Sequence, residues 1–298
     1  MTDPVLTDPV LVGTDGSDSA HRAVRWAADE AVLRNRPLLI VHALDSALYA
    51  APLFAAPQAV DALTDAGRRM LAEAVEAARE RRPEVQVSSR LLTGRVSGAL
   101  RELSREAFEL VLGHRGLGGF SSLLLGSTGL AMAGHAAGPV VIVRGDTDGE
   151  HGEPHGRIVV GLALERDEDE SETLHYAFEA AAARGARVHV VNAWEVPAAY
   201  AEANRALDDR QIEEKIRWRL IEAHAPWRKA YPDLEVTEQV VREHPVTALC
   251  DASREADLLV VGPRRRGGLA ALGLGSVSHG VIHHAHCPVV IARARTDS

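Results

Sequence analysis

The chain has 298 residues, a formal net charge of −9 and only two cysteines, Cys250 and Cys287. An acidic balance argues against general nucleic-acid binding, because the phosphate backbone selects a basic footprint. No apolar run approaches the roughly 18 residues of a membrane-spanning helix, residues 1–5 lack the pattern of a secretory signal, and so few cysteines suit a reducing compartment. We therefore expect a cytoplasmic protein with no nucleic-acid or membrane partner.

The first half of the chain alternates short apolar runs with amphipathic segments. Ser17 or Asp18 is placed to cap the first helix. Continuous runs of valine, isoleucine and leucine are typical of strands buried on both faces, as in a parallel sheet covered by helices. Strands are predicted at residues 10–14, 38–43, 85–92, 109–113 and 140–144, and helices at residues 19–34, 60–82, 96–107 and 127–137.

The second half repeats this order. Five strands joined by crossover helices give a doubly wound α/β domain, in which ligands bind at the carboxyl ends of the strands. A stretch rich in Gly, Asp, Glu and Pro at residues 145–156 is typical of a linker. We predict two tandem α/β domains, domain 1 at residues 1–146 and domain 2 at residues 155–298. The strands of domain 2 are expected near residues 157–161, 187–192, 235–241, 258–261 and 289–292, with a long helix at 204–230.

The same glycine pattern follows the fourth predicted strand of each domain. In domain 1 it begins at residues 113–116 (GHRG) and, after nine residues, ends with Gly126 and Ser127. In domain 2 it begins at residues 262–265 (GPRR) and ends with Gly275 and Ser276, so the two copies are 149 residues apart. A constant offset of this size indicates two homologous domains rather than a short-period solenoid.

A glycine loop that leads into a helix has the chemistry of a phosphate site. Backbone N–H groups approach anionic oxygens closely only where no Cβ intervenes, and some loop positions need positive φ. Ser127 and Thr128 open a helix whose free N–H groups and positive dipole end favour phosphate. The alternative is that Gly113, Gly116 and Gly126 only form tight turns, since one glycine loop is a weak signal.

The loop after the first strand adds Asp15, whose carboxylate suits an adenine amino group or a ribose hydroxyl better than a phosphate. With residues 12–17 (VGTDGS) and the G-x2-G-x9-G-S pattern, the first half resembles the universal stress protein family, and the whole chain resembles a tandem member of it. The resemblance implies five-stranded parallel sheets of order 3-2-1-4-5. It also implies ATP binding and pairing of domains through their last strands.

The resemblance further implies where ATP lies in domain 1. Asp15 would sit at the adenine or ribose end, and no side chain is expected to ligate a metal directly. Mg2+ would accompany the phosphates. Carried over by position, the ATP-binding residues are Gly13, Thr14 and Asp15 after the first strand, Ala43 in the adenine pocket, Leu112, Gly113, His114, Arg115 and Gly116 at ribose and phosphates, and Gly126, Ser127 and Thr128 at the terminal phosphates.

Domain 2 departs from this pattern. Ala163 stands where domain 1 has Asp15, and Arg265 stands where it has Gly116. An arginine lacks the conformational freedom of glycine but brings its own charge to a phosphate. The acidic run at residues 165–170 either complements the positive end of the next helix or repels a triphosphate. We expect ATP to bind mainly to domain 1, with a residual phosphate site in domain 2 formed by Gly161, Gly262, Arg264, Arg265, Gly275 and Ser276.

Other clusters favour structural roles. His283 and His286 have a spacing seen in metal ligands, but no acidic partner stands beside them, so exposure or an interface contact is the better interpretation. Three tryptophans are interpreted as core or interface packing: Trp194, Trp218 and Trp227. The last strands, at residues 140–144 and 289–292, are edge strands in the expected order. Since unpaired edges invite partners, the domains are expected to pair with each other or across a homodimer.

Catalytic signatures are sparse. Domain 1 contains no lysine, and we find neither a G-x4-G-K-[ST] loop nor a nucleophile elbow in the chain. Bound ATP is therefore expected to be hydrolysed slowly if at all. The sequence favours an ATP-binding stress-response sensor or regulator with no catalytic residue. The alternatives are a slow ATP-cleaving or adenylating enzyme of the same architecture and a nucleotide-free interaction scaffold.

Overall fold

A computed structural model describes residues 8–45, 57–116, 125–144, 154–164, 168–196, 208–263 and 273–295. The chain divides into two compact units, which we continue to call domain 1 and domain 2. Domain 1 comprises Met1–Arg144, Ala271–Gly273 and Ala294–Ser298, and domain 2 comprises Gly145–Ala270 and Leu274–Arg293. In the described ranges, no helix combines the length and apolar character needed to cross a bilayer.

Domain 1 is a parallel sheet with helices as crossover connections. Its strand order is β3-β2-β1-β4-β5, which confirms the predicted order 3-2-1-4-5. Strand β1 is central: Val12 is level with Ile40 on one side and with Val111 on the other. The elements, in chain order, are β1 (Val10–Gly13), α1 (Asp18–Leu33), β2 (Leu38–Asp45), α2 (Pro57–Arg81), β3 (Val87–Gly94), α3 (Val96–Leu103), β4 (Glu109–Gly113), α4 (Ser127–His135) and β5 (Val140–Val143).

Domain 2 has the same topology, with strand order β8-β7-β6-β9-β10. Asp208 caps its long helix by accepting hydrogen bonds from two backbone N–H groups, and residues 204–207 of the predicted helix lie outside the described residues. The elements are β6 (Arg157–Gly161), α5 (Glu168–Arg184), β7 (Arg187–Trp194), α6 (Asp209–Ala230), β8 (Val236–Arg242), α7 (Pro245–Ala252), the 3-10 helix Ser253–Glu255, β9 (Leu258–Val261), α8 (Ser276–His284) and β10 (Val289–Ile291).

The central strands bury their apolar side chains on both faces, as their continuous hydrophobic runs predict. Leu11, Leu110 and Ile142 in domain 1 are fully buried, as are Ile158 and Leu259 in domain 2. Each such side chain contributes about 1.5–3 kcal/mol relative to an exposed one. The resulting core fixes the strand register, and with it the positions of the loops at the carboxyl ends of the strands.

Local hydrogen bonds explain where two helices of domain 1 begin or end. Ser17 is the N-cap of α1, and its Oγ accepts from the backbone N of Ala20 at 3.2 Å. The prediction of a helix at residues 96–107 is wrong beyond Leu103. There, Ser104 Oγ donates to a backbone carbonyl and accepts from the N–H of Ala137, which ties the end of α3 to the segment before β5.

The tryptophans differ from one another in environment. Trp218 on α6 is 69% exposed, which excludes the core alternative for this residue and does not test the interface alternative. Trp227 stacks on His175 with ring centroids 5.1 Å apart, and the guanidinium of Arg242 lies 5.1 Å from the centre of the Trp194 ring. These two tryptophans therefore pack against neighbouring elements at the margin of the core.

Candidate functional site

Two loops of domain 1 meet at the carboxyl edge of the sheet, because β1 and β4 are neighbouring parallel strands. Ser17 Oγ donates to the carbonyl of Arg115 at 3.3 Å. Ser19 Oγ accepts from the backbone N of Arg115 at 3.2 Å and lies 3.0 Å from His114 Nδ1. The first turn of α1 therefore fixes the glycine loop that follows β4.

The start of helix α4 reaches the same loop. The backbone N of Gly126 donates to the carbonyl of His114 at 2.9 Å. Gly126 is the N-cap of α4 and makes no side-chain capping bond. The following Ser127 is exposed and Thr128 is partly exposed. The first N–H groups of α4 and these two hydroxyls are therefore placed beside the glycine loop, where an anion would be favoured.

Gly113, Gly116 and Gly126 do not have positive φ, so for these three glycines that part of the sequence prediction is wrong; among the described residues of this region, the positive-φ glycine is Gly16, at 78°. Packing explains two of the three loop glycines. A Cβ on Gly113 would lie 2.6 Å from the carbonyl oxygen of Ser19. A Cβ on Gly116 would strike the carboxylate of Asp15. Both positions are glycine because another part of the chain passes close by.

Gly126 is different, because packing among the described residues does not account for it. Its φ of −71° suits any residue, and a Cβ there would meet no described heavy atom closer than 3.9 Å. The nearest atom is the backbone N of Gly116. A glycine here leaves space between the start of α4 and the glycine loop, which fits the close approach of a ligand.

Asp15 lies between the two loops. One carboxylate oxygen accepts from the backbone N of Ser17 at 3.1 Å, and the other faces Gly116. The preceding residue is held by β2, since His42 Nδ1 donates to the carbonyl of Thr14 at 2.8 Å. Ala43 follows on β2 and is level with Leu92 of β3. Sequence reasoning missed His42, because nothing in the sequence distinguishes a functional histidine within a strand from a structural one.

Three arginines lie close enough to His114 of the glycine loop to act on its charge. Burial lowers the pKa of His114, and Arg144, Arg22 and Arg115 lower it further through their charge. Three positive charges therefore act on His114, although the chain is acidic overall. Arg22 and Arg144 were missed by sequence reasoning, because one lies within α1 and the other follows β5, and only the fold brings them to the loop.

The lowered pKa of His114 has a consequence for stability. Below its ordinary value of 6.5, the unfolded chain takes up a proton that the folded domain resists, so the free energy of unfolding falls as the pH falls. We expect His114→Gln to lose less stability than the parent between pH 7.5 and pH 5.5, measured by urea unfolding. Equal losses for the two proteins would contradict this assignment.

Domain 2 contains a partly enclosed cavity of about 100 Å³ at the equivalent edge of its sheet. The loops are held as in domain 1: the backbone N of Leu162 donates to Val191, as that of Thr14 donates to Val41. Asn192 Nδ2 donates to the carbonyl of Leu162 at 2.8 Å, in the role of His42. The two domains can therefore be compared position by position.

Residues at the positions predicted for ATP in domain 1 line this one cavity in domain 2. Gly161, Leu162 and Ala163 correspond to Gly13, Thr14 and Asp15. The further lining residues Ala193, Val261, Gly262 and Val277 stand at the positions of Ala43, Leu112, Gly113 and Thr128. In domain 2, the counterparts of seven of the predicted positions thus line a common space.

The domain 2 residues predicted for phosphate are only partly grouped. Gly161 and Gly262 line the cavity. Gly275 is the N-cap of α8, and its N–H donates to the carbonyl of Pro263 at 2.9 Å. Ser276 is exposed at the first residue of α8, and Arg264 and Arg265 lie outside the described residues. Since a Cβ at Gly116 would strike Asp15, the loss of that carboxylate in domain 2 removes the requirement for glycine at the position of Arg265.

Sequence reasoning also missed three polar residues that line the domain 2 cavity: Glu170, Thr173 and Ser278. Ser278 Oγ donates to the carbonyl of Gly262 at 2.6 Å. Elsewhere on α8, the rings of His279 and His283 are 4.6 Å apart. In the part of the chain that the structure describes, no group of three or more His, Cys, Asp or Glu side chains is arranged to hold a metal ion.

Comparison with known proteins assigns the chain to a family. The model of the "Universal stress protein family" matches residues 7–144 and again residues 155–293. Universal stress protein Rv2005c of Mycobacterium tuberculosis is 32% identical over 303 residues, which cover 98% of this chain and 99% of that protein. A universal stress protein of Mycolicibacterium smegmatis is 31% identical over 292 residues, covering 96% and 97% of the two chains.

The fold is shared with a crystal structure of a universal stress protein from Archaeoglobus fulgidus. That structure has a TM-score of 0.71 and 18% sequence identity to this chain, and the match covers 98% of both chains. Two matches to the family model agree with the 149-residue repeat. The chain therefore belongs to the universal stress protein family, as a member with two tandem domains.

Proposed function

We propose that this protein is a cytoplasmic regulator of the stress response that binds ATP in domain 1. The observation that carries the proposal is the space at Gly126, which packing among the described residues does not explain. That space lies between the start of α4 and the glycine loop, where Arg22, Arg115 and Arg144 act on His114. An uncapped helix start and three guanidinium groups favour a polyphosphate.

The two ends of the site suit the two ends of a nucleotide. Asp15 accepts hydrogen bonds and therefore fits a ribose hydroxyl or an amino group. Ser127, Thr128 and the first N–H groups of α4 donate hydrogen bonds and fit terminal phosphates. Mg2+ bound with ATP would supply charge neutralisation at the phosphates, without direct ligation by a side chain.

The site lacks the machinery of a fast phosphotransferase. Domain 1 contains no lysine. Its loop histidine, His114, is held by Ser19, and its lowered pKa keeps it from carrying a positive charge near neutral pH. We therefore propose a binding protein in which ATP stabilises the occupied state by mass action, with hydrolysis slow or absent. Turnover at rates typical of enzymes would favour the ATP-cleaving alternative.

Asp15 provides the test. We expect Asp15→Ala to weaken ATP binding by about 10- to 100-fold, because a hydrogen bond to a charged group contributes roughly 1.5–3 kcal/mol. Asp15→Asn keeps the shape of the side chain and should weaken ATP binding by a similar factor if the charge matters. Asp61→Ala, at an exposed carboxylate of α2, is the matched control. Calorimetry that finds the same Kd for all four proteins would refute the role of Asp15.

A further inference from the structure

The described lining of the domain 2 cavity is acidic, whereas three arginines act on the glycine loop of domain 1. Among the described residues that line it, Glu170 is the charged residue and none is basic. Glu170 is 9% exposed, and its polar neighbours Thr173 and Ser278 are 1% and 2% exposed. A carboxylate in the wall of a small, mostly apolar cavity attracts a cation and repels a phosphate, and burial strengthens both effects.

The difference in charge between the two domains arises in the first turns of helix α5. The two helices can be aligned by the positive-φ residues that follow them, Asn35 after α1 and Gly185 after α5. By this alignment Glu170 and Thr173 stand at the positions of two buried alanines of domain 1, Ala20 and Ala23. Glu172 likewise stands at the position of Arg22, one of the arginines that act on His114.

The helix dipole offers a simpler reason for acids at this end of α5, since a carboxylate there is favoured whether or not a ligand binds. That reason applies equally to an exposed acid. It does not explain why Glu170 is buried in a cavity wall, nor why Thr173, one turn further along, is buried in the same wall.

The remainder of the cavity is suited to an apolar body. Its lining includes Leu162, Val191, Leu249 and Val277, and Ala163 stands in place of the carboxylate of Asp15. Its volume is about 100 Å³, whereas an engineered protein cavity of about 150 Å³ holds benzene. We propose that domain 2 binds a small organic cation, with an ammonium or amidinium group at Glu170 and a compact apolar body, rather than a nucleotide.

Three probes that share a short apolar body and differ in their polar group test this assignment: propylamine, 1-propanol and propanoate. Binding to the full chain is measured by ligand-observed NMR, with and without saturating Mg-ATP, so that the result does not depend on nucleotide binding in domain 1. We expect the amine to bind at least about tenfold more tightly than the alcohol, as a charge-assisted hydrogen bond allows. The carboxylate probe should not bind.

Variants locate the binding. Glu170→Gln should weaken binding of the amine by about tenfold, and Ala193→Leu should abolish it by filling the cavity. Glu214→Gln, at an exposed position of α6, makes the same chemical change away from the cavity and should have no effect. Equal affinity for the three probes, no binding of the amine, an unchanged affinity in Glu170→Gln, or displacement of the amine by excess Mg-ATP would each overturn the proposal.

Discussion

Replacing Gly126 by aspartate should abolish ATP binding and leave the fold intact. The φ of −71° suits aspartate, a Cβ meets no described atom within 3.9 Å, and aspartate is a better helix N-cap than glycine. The new carboxylate would lie where the terminal phosphates are proposed. Because juxtaposed like charges cost several kcal/mol, Kd for ATP should rise by at least about 100-fold.

The same change in domain 2 is the control. Gly275 caps α8 with nearly the same backbone angles, φ −75° and ψ 160°. If domain 1 is the working site, Gly275→Asp leaves the affinity for ATP unchanged. Calorimetry measures the affinity, and circular dichroism with thermal unfolding shows whether each variant is folded. A folded Gly126→Asp protein with parental affinity would exclude the phosphate position proposed here.

Gly113→Ala should be strongly destabilising, for a reason unrelated to ATP. A Cβ at this position would lie 2.6 Å from the backbone oxygen of Ser19 and 2.7 Å from its carbonyl carbon. This clash is relieved only if α1 moves away from β4, and overpacking of this kind costs about 1–3 kcal/mol. We expect the free energy of unfolding of domain 1, measured in urea, to fall by about 2–3 kcal/mol. ATP binding should weaken as well, because Ser19 also holds the glycine loop.

Gly98 provides the matched control, since it is exposed within α3 and a Cβ there meets nothing within 4 Å. Gly98→Ala should raise stability by roughly 0.5–1 kcal/mol, because alanine is the better helix former. The double variant Ser19→Ala with Gly113→Ala should remain destabilised, since the clash involves the backbone of Ser19. Equal stability of the Gly113→Ala and Gly98→Ala proteins would show that the contact at Gly113 is not restrictive.

The strands of the two domains could be predicted because the sequence pattern of each strand is local. Each central strand is a short run of valine, isoleucine and leucine, and the repeated glycine pattern identified the second domain. The strand order followed from the family resemblance. Helix ends were less predictable, because they depend on tertiary contacts such as the bond between Ser104 and Ala137.

The site was predictable only in part, for the same physical reason. Glycine and aspartate positions are visible in the sequence, but the reason for a glycine is not: Gly116 is opposed by Asp15, which is remote in the chain. Arg22 and Arg144 reach the loop only through folding. Glu170 was interpreted as part of an acidic run at a helix start, and its place in a cavity wall depends on how α5 packs.

The number of ATP molecules bound per chain is the most direct test of a working site in domain 1 and an altered one in domain 2. Calorimetric titration of nucleotide-free protein with Mg-ATP gives this number together with Kd. We predict one ATP per chain, lost in Gly126→Asp and kept in Gly275→Asp. Two per chain would mean that domain 2 has retained a nucleotide site despite Ala163 and Glu170, and none would contradict ATP binding by this protein.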